Sequence, residues 1–185
     1  MLIHCSHLKE VQSWLRERID KLWKLLANQA KYSNQDPTLL MELENRWNRH
    51  FFNKNEDTVE SWDEIKIHLR NFCDSVEVRE INSNNPDGDL DYQNHQNGLK
   101  VIAIGGNKLS RGLTLEGLTV SYFGRPTRMY DSLLQMGRWF GFRTGYGDLV
   151  RLHLTANLLE WFSWLAHVER QIRLDIERYD RLNKS

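Results

Sequence analysis

Short apolar segments rich in β-branched residues alternate along this chain with longer stretches of helical periodicity. Residues 1–6 (MLIHCS), 76–82 (VEVREIN), 100–104 (KVIAI), 118–123 (LTVSYF) and 149–155 (LVRLHLT) read as strands. The segments at 100–104 and 118–123 are too short for helices and read as buried parallel strands, whereas 76–82 alternates apolar and charged residues, as a partly exposed strand does.

The first strand leads into an amphipathic pattern that puts Val11, Trp14, Leu15, Leu22, Leu25 and Leu26 on one stripe, the mark of a crossover helix. Asp36-Pro37 is a helix start, followed by Leu39, Leu40, Leu43, Trp47 and Phe51 at helical spacing. Ser61 with Glu64 is a capping-box pair ahead of Ile65, Leu69 and Phe72. Residues 34–74 therefore read as a helical insertion. The stretch SNNPDGDLDYQNHQNG reads as a loop, 129–140 as a helix, and 156–183 as one or two helices burying Leu158, Phe162, Leu165, Val168 and Ile172. Trp14, Trp23 and Trp47, at helical spacing, read as core.

Five strands alternating with helices predict an α/β fold, a doubly wound parallel sheet of about five strands with right-handed crossovers. The 185 residues suffice for a single domain with a sizeable core, and 3 prolines without any low-complexity tract argue against a disordered tail. Opening in a strand and stopping in a charged helix, the chain reads as a piece of a longer protein. It has no apolar run of membrane-span length and no signal-peptide pattern at its start, so a cytoplasmic protein is expected. Cys5 and Cys73 suggest no disulfide framework.

Formal net charge is zero, yet residues 100–151 carry eight Lys and Arg against three acids (+5) and residues 1–99 carry twelve against seventeen (−5). The basic excess coincides with two turns that follow consecutive strands, GGNKLSRG and GRPTRMY. Ligands of open α/β sheets sit beyond the carboxyl ends of the strands, so Gly105, Gly106, Asn107, Ser110, Arg111, Arg125 and Arg128 are expected on one phosphate-handling rim. Glycine lets backbone approach a phosphate, and Ser110 with Arg111 supplies donors. The same turn also reads as a tight strand-to-helix connection in which Arg111 caps a carbonyl. In QMGRWFGFR, Gln135 and Arg138 lie three apart on one helix face, and Gly137 costs about 1 kcal/mol relative to Ala unless a neighbour approaches closely. Arg138 and Arg143 offer guanidinium forks suited to a transferring γ-phosphoryl group. Alternatively they satisfy carbonyls at a helix end and stack on Trp139 and Phe142.

Together the two turns resemble motifs V and VI of the second RecA-like domain of superfamily 2 helicases. More specifically, MLIHCSHLKEVQ, INSNNPDGDLDY, GLKVIAIGGNKLSRGLTLEGLTVSYFGR and MYDSLLQMGRWFGFRTGY, in that order and across nearly the whole chain, resemble the Z-one domain family. That bacterial family is designated endonuclease-like and linked to restriction-type and phage-defence gene clusters. The resemblance implies a RecA-like domain of the P-loop NTPase, helicase C-terminal type, in which Ser110, Arg111 and Gly112 match the motif V core. Gly106 and Asn107 stand just before them on the nucleotide side, and Gln135, Gly137 and Arg138 match motif VI. Arg138 becomes the arginine finger and Arg143 a secondary one. Ser6, His7, Ser83, Arg125 and Arg128 become nucleic-acid contacts. Two departures stand out: Thr114 occupies the place of a frequent aspartate, and Arg143 lies six residues after Gly137 where the usual second finger lies four after.

No GxxxxGK[ST] phosphate loop occurs, and Asp63-Glu64 lies in a helical pattern rather than after a buried strand. ATP and Mg²⁺ would thus be shared with an upstream RecA-like domain, and the isolated chain is expected to be inactive. The other expected partners are DNA and nuclease or further defence-system proteins. A metal site is not expected: Asp87, Asp89 and Asp91 lack calcium-loop spacing, and His4, Cys5 and His7 sit on a strand end. Two alternatives remain, a metal-dependent endonuclease using Glu77, Glu80 and Lys100, and an inactive docking scaffold with tryptophan-rich helices.

Overall fold

The computed structural model describes residues 1–32, 37–52, 60–82, 90, 92, 95, 98–106, 115–124 and 144–182. Within them the chain is α/β with one five-stranded sheet. Strand β1 (Leu2–His4) is followed by helices α1 (Lys9–Lys31), α2 (Thr38–Trp47) and α3 (Trp62–Ser75), then by β2 (Glu77–Ile81), β3 (Val101–Gly105), β4 (Val120–Phe123), β5 (Arg151–Leu154) and helix α4 (Ala156–Leu182). The spatial order is β2-β3-β1-β4-β5 and every pairing is parallel. All five expected strands are present, four within the segments that the apolar pattern marks and β3 running one residue past its segment, to Gly105.

Pairing register divides the core in two. Leu2 aligns with Ala103 and Ser121, and Ile3 with Ile104 and Tyr122, so alternate residues address opposite faces. One face carries Leu2, Ile81, Ala103 and Phe123, closed by Leu158 and Leu165 of α4 with Trp161 and Phe162 at the margin. The other carries Ile3, Val78 and Ile104, closed by Leu15, Ile19 and Trp23 of α1. Helices on both faces explain why the central strand β1 is buried at all three positions.

The stripe of α1 that faces the sheet is the expected one only in part: Leu15 is turned inward as expected and Leu26 is half-buried. Val11, Trp14, Leu22 and Leu25 are exposed, while Gln12, Leu15, Ile19, Trp23 and Ala27 face inward. This helix carries two adjoining apolar stripes. Ties to the β2 side choose between them: Ser13 donates to Glu80, Lys31 pairs with Asp74 of α3, and Trp23 meets Phe72 edge-on at 6.2 Å. Trp14, expected in the core, instead lies in solvent with Arg18 stacked on its ring.

The third helix starts on its local signal, while the second starts one residue later than expected, with Pro37 at the N-cap rather than the first helical position and Asp36 outside the described residues; it ends in a π-helical turn, Asn48–Phe52. Ser61 caps α3 in a complete capping box with Glu64. Helix α4 is one continuous helix that leaves the core part-way along. Leu158 and Leu165 are buried, Phe162 and Val168 half-buried, and Ile172, expected inside, is 49% exposed because residues 170–179 lie beyond the edge of the sheet's cover. The helix expected at 129–140 lies outside the described residues. Among those described, no helix is long and apolar enough to cross a membrane, and Cys5 and Cys73 are free thiols.

Candidate nucleotide and nucleic-acid rim

In an all-parallel sheet every strand ends on the same edge. Here that edge gathers Cys5, Ser6 and His7 after β1, Asn82 after β2, Gly106 after β3 and Gly124 after β4. The expected rim therefore has its anchor points on one side of the molecule. Ser6 and His7 fall beside Gly106 because β1 and β3 are neighbours.

The approach at that junction is close. A Cβ on Gly106 would lie 2.9 Å from the Ser6 carbonyl oxygen, 3.2 Å from His7 Cα and 2.5 Å from Gln12 Nε2. Glycine is required there by space, since two of these three neighbours are backbone. The Ser6 hydroxyl accepts from the Leu8 amide at 3.1 Å, turning the chain into the first turn of α1. Gln12, one turn into that helix, donates through Nε2 to the Ser6 carbonyl at 3.0 Å. The sequence reading missed Gln12. Its signal was a lone amide at position 12 in an otherwise apolar series with Leu15, Ile19 and Trp23.

At the neighbouring strand end, the Gly124 amide donates to the His4 carbonyl at 3.0 Å, and burial pushes the Cys5 thiol up while contact with the Gly124 backbone acts the other way. His4 is fully buried, its ring stacked on Phe123 with centroids 5.0 Å apart, whereas His7 is exposed. His4, Cys5 and His7 therefore diverge. Among the described residues no group of three His, Cys, Asp or Glu is placed to hold a metal ion. Glu77 and Glu80 do not converge either. They occupy opposite faces of β2, Glu77 paired with Arg79 at 2.8 Å and Glu80 accepting from Ser13 at 2.9 Å and from Asn82. Lys100 sits at the amino end of β3, where its carbonyl accepts from the Glu77 amide.

Of the other expected site residues, Asn107, Ser110, Arg111, Gly112, Arg125, Arg128, Gln135, Gly137, Arg138, Arg143 and Ser83 lie outside the described residues, as do Asp87, Asp89 and Asp91. What is described is where their segments leave the sheet: 107–114 immediately after Gly106, and 125–143 immediately after Gly124. Both departures are on the rim. A separate cavity lined by Met1, Tyr92, Val101 and Leu118 lies at the opposite, amino edge of the strands.

The chain matches the Z1 domain family over residues 1–185. It belongs to that family. No curated protein and no solved structure matches it. The Z1 domain described here is thus an all-parallel α/β unit, with its glycine-bearing strand ends on one edge and no neighbour of known structure to lend it an activity.

Proposed function

We propose that this Z1 domain is the second RecA-like half of a DNA-dependent, helicase-type ATPase acting in DNA restriction, phage defence or DNA processing. The supporting observation is the convergence of Ser6 and His7 with Gly106 at adjacent ends of β1 and β3. In this reading Ser6 and His7, with Ser83, Arg125 and Arg128, touch the DNA. The turn Gly106-Asn107-Ser110-Arg111-Gly112 faces the nucleotide. Gln135 and Gly137 position the helix that carries Arg138, which reaches the γ-phosphate when two such domains close, with Arg143 beside it.

The residues of this chain that would meet ATP are donors and guanidinium groups, which suit phosphate oxygens. The groups that grip the β- and γ-phosphates and Mg²⁺ belong to the upstream RecA-like domain, since this sequence has no phosphate loop. Accordingly the chain alone binds weakly and turns nothing over. The endonuclease alternative is weakened by the placement of Glu77 and Glu80 on opposite faces of β2. The scaffold alternative is favoured by the exposed apolar flank Val11, Trp14, Leu22 and Leu25.

The deciding experiment is ATP turnover by the full-length protein, with and without DNA, for wild type and Arg138→Ala. DNA-stimulated turnover that falls far more than ATP affinity in the variant supports the finger assignment. Turnover unaffected by the substitution, or absent throughout, sinks it.

A further inference from the structure

Gln12 has two properties that a helix-face glutamine normally lacks. It is 3% exposed, and its Oε1 accepts no hydrogen bond among the described residues. The orientation of the amide is not arbitrary. The Ser6 carbonyl can only accept, so the group 3.0 Å from it is the NH₂ end, which leaves Oε1 as the idle atom. An idle buried acceptor is costly, and buried amides are ordinarily satisfied at both ends. Held among the described residues by one bond, and that bond to the end of β1, the amide is tied there to Ser6 rather than to a third element.

Its other neighbour is Gly106. With 2.5 Å between Nε2 and the place a Cβ would occupy, and 2.9 Å from there to the Ser6 oxygen, the amide fills the space between the end of β3 and the end of β1. No side chain fits at Gly106 without displacing the Gln12 amide, the Ser6 carbonyl or both, and the Nε2 bond at 3.0 Å links those two groups to each other.

We propose that Gln12 is a positioning residue that couples the end of β1 to the turn opening at Gly106, so that DNA engagement at Ser6 and His7 is transmitted to the nucleotide side. This rests on the functional reading above and names the residue through which its two sites communicate. Gln12 touches neither ligand. Its effect is on stimulation, not on basal chemistry.

Two measurements test it. The first is a double-mutant cycle on the stability of the folded chain with Gly106→Ala and Gln12→Ala. Shortening Gln12 should remove the share of the added methyl's cost that falls on Nε2 and leave the share that falls on the Ser6 carbonyl and the His7 backbone, whereas fully additive effects overturn the contact and the proposal with it. The second is ATP turnover of the full-length protein carrying Gln12→Met, a swap of similar volume that keeps an apolar helix face. DNA stimulation should fall by ~5-fold or more, while basal turnover and DNA affinity stay within about twofold. Stimulation equal to wild type, in a variant that unfolds at the wild-type temperature, overturns the proposal and leaves the functional reading standing. A wild-type protein whose turnover ignores DNA overturns the functional reading itself, and the coupling that rests on it.

Discussion

Arg151, the first residue of β5, lies over the ring of Phe51 with its Cζ 4.2 Å from the centroid and donates through one guanidinium nitrogen to the His50 carbonyl at 2.6 Å. One side chain thus fastens the π-helical turn after α2 to the edge strand of the sheet across 101 positions of sequence. Because the guanidinium bonds and stacks at once, a lysine replaces only part of it. Arg151→Ala should lower unfolding free energy by ~1–3 kcal/mol, and Arg151→Lys should recover less than half of that loss in urea melts. Equal stability of the Lys variant and wild type would show that charge alone holds the turn.

The register of α4 makes a second prediction. Leu158 is 1% exposed within the cluster formed by Leu2, Ile81 and Phe123, while Ile172, four turns further along the same helix, is 49% exposed. Leu158→Ala should cost ~2–5 kcal/mol through lost burial and a residual cavity. Ile172→Ala should stay within about 0.5 kcal/mol. Comparable losses at both positions would mean that the distal half of the helix packs on the domain.

This helix also marks how far the sequence could be read. Every strand was legible, because β-branched runs such as 101–104 have few ways to be buried except in the middle of a parallel sheet. The caps were legible for a similar reason: Ser61 and Glu64 satisfy each other locally, without reference to the rest of the fold. Helix faces were harder. The heptad-like series continuing through Ile172 gives no sign of where the sheet ends, and around the expected Leu15, α1 offers Val11, Trp14, Leu22 and Leu25 as plausibly as Ile19 and Trp23. Only the partners of Ser13, Trp23 and Lys31 decide between those stripes, and they lie 43 or more positions away. Of the site, the strand pattern put Gly106 at the carboxyl edge and the family resemblance singled out Ser6 and His7, whereas the neighbouring of β1 and β3 that brings them together was not legible. Gln12 was not, because its role comes from the contact between two strand ends.

The opposite-face placement of Glu77 and Glu80 bears on the nuclease alternative. Side chains on two faces of one strand cannot bind a common metal ion, and each carboxylate already has a partner, Arg79 for one, Ser13 and Asn82 for the other. DNA incubated with the chain and Mg²⁺ or Mn²⁺ should therefore stay intact. Should the full-length protein cut DNA, Glu77→Gln and Glu80→Gln should each leave the cleavage rate within about twofold of wild type. A loss of two orders of magnitude in either variant would return the endonuclease site to β2.

Acid stability tests the capping box of α3. The Glu64 carboxylate accepts from the Ser61 hydroxyl at 2.6 Å and from the Ser61 amide at 2.7 Å, and these bonds hold its carboxyl below the ordinary value of 4.5. A carboxyl whose value is lower in the folded than in the unfolded chain adds stability that is fully present above the unfolded value and is lost as pH falls through the folded one. Ser61→Ala removes the hydroxyl that both caps the helix and bonds the carboxylate. At neutral pH it should cost ~1 kcal/mol, within the range for serine caps. Between pH ~7 and ~5 the gap between wild type and variant should stay constant, then narrow below 4.5 as Glu64 takes up its proton in both. A gap that persists unchanged into acid would assign the whole effect to the serine oxygen on the Glu64 amide and none to the carboxylate.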